Sequence, residues 1–310
     1  MTITRNPTRT RAIERAWLSE VNRRWALFRR IVVARLRSDN ETGGLAANAE
    51  DVFRMSSAQQ RAYMAYLDVQ IDAVLLGARE TPDGTVNWQA RYQAEAYMRG
   101  LETTRAALLA QGASIVPTET ERLAAQGFQA FTATPALSVG VAAGPIHQDA
   151  LAFISNRSYI DLKGWTDAMS KQTRAILFDA VAQGKGIDKV VREMTERINV
   201  SRSRARLIAR TETNQAYGRS VIAETSRAAA ELNEPVGLRW LTARDTRVRH
   251  LHAEWHGVVM TPEQAARNKN VSPWGCRCGF APVIAEADTP AKTARFKAER
   301  EQLLAEEQPG

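Results

Sequence analysis

The sequence contains only two cysteines among its 310 residues, Cys276 and Cys278, and a single residue separates them. A disulfide-stapled secreted domain needs several dispersed cysteines, so this pair argues against that class. No run approaches the roughly 18 apolar residues of a membrane span. The first residues, Met1 to Arg11, are polar and rich in arginine, unlike a secretory signal. We therefore expect a protein that is made in a reducing cytoplasm and has no membrane partner.

Motifs of the common hydrolases and nucleotidases are also missing. The sequence has no Gly-x-Ser-x-Gly elbow around a nucleophilic serine and no glycine-rich phosphate loop. Its composition is nevertheless that of a folded protein, with 44% hydrophobic and 25% charged residues. A chain of 310 residues is long enough for two compact parts. We expect a folded protein that is not an enzyme.

Acidic residues are outnumbered, with 34 Asp and Glu against 42 Lys and Arg and a net charge of +8. This excess favours salt-sensitive attraction to polyanions, and non-specific double-stranded DNA is the expected partner. Part of the excess lies in the first amphipathic segment, 13–36, where arginines alternate with a stripe of apolar residues. Such a helix could bind DNA or a membrane surface, but packing on its own domain or on a partner subunit is favoured.

The remaining pattern predicts an α+β fold that is predominantly α-helical. A charged helix is expected over 289–307, and strands over 236–240 and 258–260. Directly after the second of these strands, Thr261 before Pro262 should cap a short helix.

Further helices are expected over 57–78, 88–111, 187–198 and 203–232, with Ser201 as the N-cap of the last. Proline and glycine punctuate the stretch around 112–145 and suggest a boundary there. We divide the chain into a helical N-terminal region (1–145), a C-terminal helical plus small β-containing subdomain (146–285) and a charged helical tail (286–310).

Five of the six His and Cys residues fall within one short β-containing segment: His250, His252, His256, Cys276 and Cys278. Thiolate and imidazole are the ligands that zinc prefers, and four of them can hold a small irregular subdomain together. The favoured set is His252, His256, Cys276 and Cys278, with His250 as a substitute ligand. On a helix, residues four apart share a face, so His252 and His256 could act together.

Two other interpretations of the His and Cys cluster stay open. The cysteines can be reduced thiols in a tight turn, with the histidines satisfying local hydrogen bonds. They can also form a redox pair, although a disulfide between residues two apart would be strained. The spacing itself is unusual for zinc, because zinc knuckles more often separate their cysteines by two residues.

The same segment carries an ordered set of motifs. Ala209 to Glu212 form an Ala-Arg-Thr-Glu helix, and a strand with Trp240 follows. Then come Asp245, Arg247, Arg249, His252 and Gly257, and finally Pro273, Cys276-Arg277-Cys278 and Pro282. In order and spacing, residues 167–283 resemble the Mu F-like phage head morphogenesis family. Two positions depart from that family's pattern, since His256 replaces an Asp and Trp274-Gly275 replaces a His-Asn or similar pair.

The resemblance implies a minor capsid protein of the phage head, located inside the capsid or at the portal vertex of the virion after assembly in the host cytoplasm. Its implied partners are the portal protein, capsid subunits and packaged DNA, and its implied role is in DNA packaging or ejection. Arg210 and Glu212 could be argued into a nucleotide-transferring site, but a structural polar network is favoured. That predicted network comprises Arg210, Glu212, Asp245, Arg247 and Arg249.

Two alternatives from other classes remain at this point. The His and Cys cluster could serve a metal-dependent nucleic-acid-binding module or nuclease. An injected toxin would need a separate catalytic domain after Val283, and the residues that follow are too few for one.

Overall fold

The structure is a computed structural model of the chain, and it describes the following residues: 7–41, 57–77, 79–81, 84–86, 88–115, 164, 167–168, 170–176, 178–179, 183, 185, 187–245, 247–268, 271, 275–284 and 290–306. Predictions for 42–56 and 116–163, including the boundary around 112–145, lie largely outside these residues. The described part is mostly helical with a small antiparallel sheet, which confirms the predicted α+β, predominantly α-helical class.

The helices are α1 (Arg11–Glu41), α2 (Ser57–Gln70), α3 (Ala90–Leu109), α4 (Ile187–Leu232), α5 (His250–Glu254), α6 (Pro262–Arg267) and α7 (Pro290–Glu306). A π-helix, Ile71–Leu76, continues α2. The strands are β1 (Arg79–Thr81), β2 (Gly84–Val86), β3 (Val236–Leu241), β4 (Val259–Met260) and β5 (Gly279–Ile284). No helix in this described part is apolar over enough of its length to cross a bilayer.

Two compact units emerge, each assembled from separated stretches of chain. The sheet unit comprises the described residues of 1–15, 89–155 and 207–310, and the helical unit those of 16–88 and 156–206. The predicted division into segments 1–145, 146–285 and 286–310 concerns the order along the chain and stays a prediction.

The core of the helical unit is the apolar stripe that the sequence predicts on α1. Its buried members are Trp17, Val21, Trp25, Phe28 and Val32. These side chains recur every three or four residues, so they share one face of the helix and leave water together.

Polar contacts then fix how the next segment packs in the helical unit. Arg24 donates to the carbonyl of Val74 at 2.8 Å, and Trp88 Nε1 donates to the carbonyl of Leu75 at 2.9 Å. Gly77 ends the π-helix with a positive φ of 53°, and its N–H donates to the Asp72 carbonyl. Glycine suits this left-handed position because it has no Cβ to clash.

Helix α4 corrects one expectation, because it runs unbroken through 46 residues from Ile187 to Leu232. The sequence predicts a stop near Asn199 and a new start capped by Ser201. Serine and asparagine favour caps by only a few tenths to about 1 kcal/mol, so tertiary packing overrides them readily. In the following turns Ala205, Ile208 and Ala209 are buried, which supplies such packing.

The sheet unit is built on the strand order β4-β3-β5, all antiparallel. Trp240 of β3 pairs with Phe280 of β5, and both side chains are buried together with Tyr217 and Val221 of α4. The sequence analysis did not predict β5, which contains Pro282. Proline lacks a backbone donor, but at the edge of a sheet that donor is not needed for pairing with a further strand.

Within the sheet unit, polar side chains connect helix α3 to α4 and to β5. Arg105 donates to Glu224 at 2.7 Å, with side chains 5% and 0% exposed. The Gln111 side chain donates to the Pro282 carbonyl and accepts from the Ile284 N–H, which fixes the end of β5. Helix α3 thus contacts both α4 and β5, and the candidate site lies where α4, α5 and the segment before β5 meet.

Candidate metal centre

Three buried side chains from two separate segments meet beside the sheet: His252 of α5, and Cys276 and Cys278 just before β5. Nδ1 of His252 lies 3.6 Å from each sulfur. The three ligand atoms all lie within 4.8 Å of one another, which is the spacing of atoms that can share one metal ion. The three side chains are at most 4% exposed.

Side chains of α4 form hydrogen bonds with the backbone of the cysteine segment. Asn214 Nδ2 donates to the carbonyls of Cys276 and Cys278, at 3.2 Å each. Thr211 Oγ1 accepts the N–H of Gly275 at 3.0 Å. Gly275 has a φ of +69°, and a Cβ there would lie 2.8 Å from Leu207 Cδ1, so a side chain would both strain and crowd the turn.

The histidine is fixed by aromatic packing. The ring of His252 stacks on Trp255 with centroids 5.7 Å apart and meets the edge of Trp240 at 5.0 Å. Trp240 also contacts Phe280 and Trp255 edge to face. Because neighbours hold the ring on several sides, Nδ1 keeps its position toward the sulfurs, as metal ligands need.

The pKa values of the two thiols are shifted in opposite directions. A hydrogen bond from the Cys278 thiol lowers the pKa of Cys276, and His252 acts in the same direction against the effect of burial. The same hydrogen bond and burial raise the pKa of Cys278 well above its usual range. A divalent metal ion bound here would favour the thiolate form of both cysteines.

Two of the predicted ligands lie elsewhere. His256 follows the end of α5 in a turn, where its Nδ1 accepts from the Thr242 N–H at 3.2 Å and its Nε2 lies 3.2 Å from Glu299. His250 is exposed, and its Nε2 lies 3.3 Å from Glu254. Burial, with help from Arg244, lowers the pKa of His256 to about 4, so this ring is neutral near pH 7.

The predicted polar residues divide into separate contacts. Arg277 pairs with both carboxylate oxygens of Asp245, and the N–H of Arg247 donates to Asp245 Oδ1 at 3.1 Å. Hydrogen bonding from Arg277 lowers the pKa of Asp245. The Arg277–Asp245 ion pair connects the loop after β3 to the Cys-Arg-Cys segment.

The arginine and glutamate of α4 face other partners. Arg210 lies 3.6 Å from Glu14, and Glu212 accepts from Gln93 Nε2 at 3.1 Å. Thr211 and Asn214 hold the cysteine segment; the sequence analysis included Thr211 in the Ala-Arg-Thr-Glu motif but predicted this role for neither residue. They are three residues apart and so share a helix face, and this spacing was the available signal.

The cluster opens to solvent through a small cleft. Its lining residues are His252, Cys276, Cys278, Ala243, Arg247, Val248, Arg249, Gly275 and Arg277. The rim is therefore cationic, and no carboxylate is among these lining residues. Soft sulfur and nitrogen donors suit zinc, so the donor set fits that metal. Among the described residues that line the cleft, no carboxylate offers the general base that metal-assisted hydrolysis uses.

Comparisons with known proteins agree with the motif order. Residues 171–281 match the family described as Phage Mu protein F like protein. The resemblance found from the motifs is thereby confirmed, and the match supports a protein of phage head morphogenesis. That class of structural protein favours a non-enzymatic chain associated with the virion.

A second comparison found similarity over part of the chain. The chain is 31% identical over 117 residues to an uncharacterised protein of Methanocaldococcus jannaschii, which covers 37% of this chain. The matched part is 17% of that relative's own length, so the chain spans less than a fifth of it. No solved structure matches the chain.

Proposed function

We propose, from the Phage Mu F-like domain of residues 171–281, that this chain is a minor capsid protein that works beside the portal and the packaged DNA. It supports head assembly and DNA packaging or ejection, and it catalyses no reaction. One observation carries the proposal: the family match covers α4, β3 and the His/Cys cluster, whose residues contact one another as a single platform.

Composition of the virion tests this proposal. We expect peptides of this chain in mass spectra of purified particles of its phage, in far fewer copies than the major capsid protein. A phage lacking the gene should yield defective heads that the wild-type gene restores in trans. If portal and major capsid peptides are abundant while none comes from this chain, the proposal is wrong.

Within this function, the His252, Cys276 and Cys278 cluster binds structural zinc. The protein has no disulfide in the described residues, and both cysteines are free thiols. A metal ion would link α5 to the segment before β5 and add its binding free energy to folding of the sheet unit.

Metal content and stability test the zinc site. Protein expressed with zinc should contain about one ion per chain, and Cys276→Ser and Cys278→Ser should each abolish it. At 100-fold excess over the dissociation constant, bound metal adds about 2.7 kcal/mol to the free energy of unfolding, which a chelator would remove. His250→Ala is the matched control, since His250 is exposed and lies outside the cluster. Zinc-free wild-type protein would contradict the site.

The exposed arginines of α1 support non-specific contact with double-stranded DNA. Arg23 and Arg30 are seven residues, about two turns, apart and both are exposed; Arg23 also pairs with Glu20 at 2.6 Å, a contact that a phosphate would have to displace. Each phosphate neutralised releases condensed counterions, so binding should weaken steeply with salt. Replacing both with Gln should reduce the slope of log affinity against log salt by up to about two. Arg267→Gln, on the exposed end of α6, is the control. Affinity that does not change with salt would exclude this DNA role.

A metal-dependent nucleic-acid-binding module or nuclease is the second candidate, and the cationic cleft beside the cluster is the observation that favours it. Cleavage of duplex DNA that requires zinc and disappears in Cys276→Ser would establish a nuclease. Zinc binding without cleavage would leave the cluster as a structural site of the capsid protein.

A further inference from the structure

We propose that α7 is a removable cover: the carboxylate of Glu299 occupies an oxyanion site made by Arg244 and His256, and a phosphate of duplex DNA takes this site when α7 leaves it. The inference rests on the non-specific DNA contact proposed above and adds a second, regulated contact in the sheet unit. Helix α7 lies beyond residues 171–281, the part of the chain that the family match covers.

Two donors of the sheet unit converge on the Glu299 carboxylate. Arg244 pairs with it, and Nε2 of His256 lies 3.2 Å from its Oε2. Nδ1 of the same ring accepts the N–H of Thr242, so Nε2 carries the proton and donates to the carboxylate. Glu299 therefore receives the kind of donors that a phosphate oxygen accepts from proteins.

The backbone of Arg244 is held in a conformation that its residue type disfavours. Its φ is +52°, in the left-handed region where a side chain crowds the following carbonyl. In this conformation the Arg244 guanidinium lies 3.4 Å from Nε2 of His256, so the two donors point at one place. Backbone strain of this kind clusters at ligand-binding positions, which fits an oxyanion site.

The charge of the site favours an anion once α7 is gone. Glu299 is the carboxylate that α7 brings to Arg244, whose side chain is only 23% exposed. A partly buried guanidinium that loses its counter-charge is unfavourable, so another anion is drawn to replace the carboxylate. Arg295 of α7 also lies 2.8 Å from Glu299 and moves away with the helix.

Helix α7 is attached by few buried groups. Among its side chains that the structure describes, only Leu303 is buried, and Phe296, Glu299, Arg300 and Leu304 are half-buried. An element with so few buried apolar contacts opens at a lower free energy than the core of its unit. The helix can therefore leave while the strands beneath it stay folded.

The contact between α7 and the sheet unit is nevertheless specific. Gly257 has a φ of +81°, and a Cβ there would lie 2.4 Å from Cβ of Phe296, so the helix approaches closely at this glycine. The Phe296 ring also lies 4.5 Å from the guanidinium of Arg239. The cover thus has a defined position, from which a competing ligand would displace it.

Duplex DNA suits this competition better than a small anion does. One partly exposed ion pair contributes little, whereas a polyanion offers many phosphates at once and releases condensed counterions as they are neutralised. The net charge of +8 attracts the same ligand. Contacts to phosphate carry no sequence information, so the regulated contact is non-specific, like that of α1.

DNA affinity of the full chain, purified with zinc, tests the cover. Fluorescence anisotropy with a short duplex is measured at several salt concentrations. Glu299→Gln should raise the affinity about tenfold more than Glu301→Gln, which removes the same charge from an exposed position of the same helix. The slope of log affinity against log salt should steepen by about one, since one more phosphate is bound. Adding Arg244→Gln to Glu299→Gln should remove the gain.

Amide hydrogen exchange of the wild-type chain tests whether α7 leaves. Saturating duplex DNA should speed exchange across 290–306, while exchange in α3 stays unchanged. If DNA binds and exchange in α7 does not change, the inference is wrong. If Glu299→Gln and Glu301→Gln bind DNA equally, it is also wrong, while the DNA contact of α1 stands when replacing Arg23 and Arg30 weakens binding. If no variant binds DNA at low salt, both proposals fail.

Discussion

The helical unit and the sheet unit are each stabilised internally by different kinds of contact. The helical unit is built on the apolar stripe of α1, together with buried residues of α2 and of the π-helix such as Leu67 and Leu75. The sheet unit depends on contacts between segments far apart in the chain, such as Asn214 with the cysteine segment and Gln111 with β5. The polar contacts of the helical unit fix how α1 packs on the segment that follows α2, whereas those of the sheet unit also set the geometry of a side-chain site.

Replacing one buried tryptophan in each unit is the strongest test of this difference between the units. Trp17 and Trp240 are 0% and 1% exposed, so Trp17→Ala and Trp240→Ala should each lower the free energy of unfolding by about 3–5 kcal/mol. Only Trp240→Ala should also weaken zinc binding, because Trp240 packs against His252. Urea denaturation and metal analysis measure the two effects. Equal zinc affinity in both variants would contradict the role of Trp240.

The next largest effect concerns the buried ion pair of the sheet unit. Arg105→Met leaves the buried Glu224 without its partner from α3, and we expect a loss of about 3 kcal/mol in the free energy of unfolding. Arg99→Met on the exposed side of the same helix is the control and should change it by less than about 0.5 kcal/mol. A similar loss in both variants would show that α3 is sensitive to any charge change.

The pH dependence of the free energy of unfolding should further distinguish the sheet unit, which contains His256, from the helical unit. Burial and Arg244 lower the pKa of His256 to about 4, from an ordinary value of 6.5, while Glu299 and Arg300 also face the ring. The unfolded chain then binds about one proton more than the folded one between pH 6.5 and 4, so stability falls as the pH drops through this window. His256→Gln should remove about one proton from the pH dependence of unfolding. An unchanged slope would contradict this account.

The smallest effect is expected at an exposed helix cap. Thr261 accepts from the Gln264 N–H, and the Gln264 side chain accepts from the Thr261 N–H, which forms a capping box at α6. Thr261→Ala should lower the free energy of unfolding by about 1 kcal/mol. Thr261→Ser keeps the hydroxyl and should restore most of it. If serine destabilises as much as alanine, the hydroxyl is not what stabilises α6.

Much of the architecture was predictable from local patterns. The stripe on α1, the strand around Trp240 and the Thr261-Pro262 helix start all follow from side-chain period or from capping chemistry. Predictions failed where the local signal was weak against tertiary packing: Asn199 and Ser201 suggested a helix break that α4 does not have. Pro282 masked β5 because its compatibility with a strand depends on lying at an edge.

For the site, the sequence placed the ligand types in one segment, and the order of motifs indicated the family. The sequence alone determined which residues have metal-binding chemistry, because thiol and imidazole donors are fixed by residue type. Only the tertiary structure decided which of them meet: it turns His252 toward Cys276 and Cys278 and directs His256 to Thr242 and Glu299. The physical reason is that α5 ends at Glu254, so the side chains of the two histidines point in different directions although only three residues separate them.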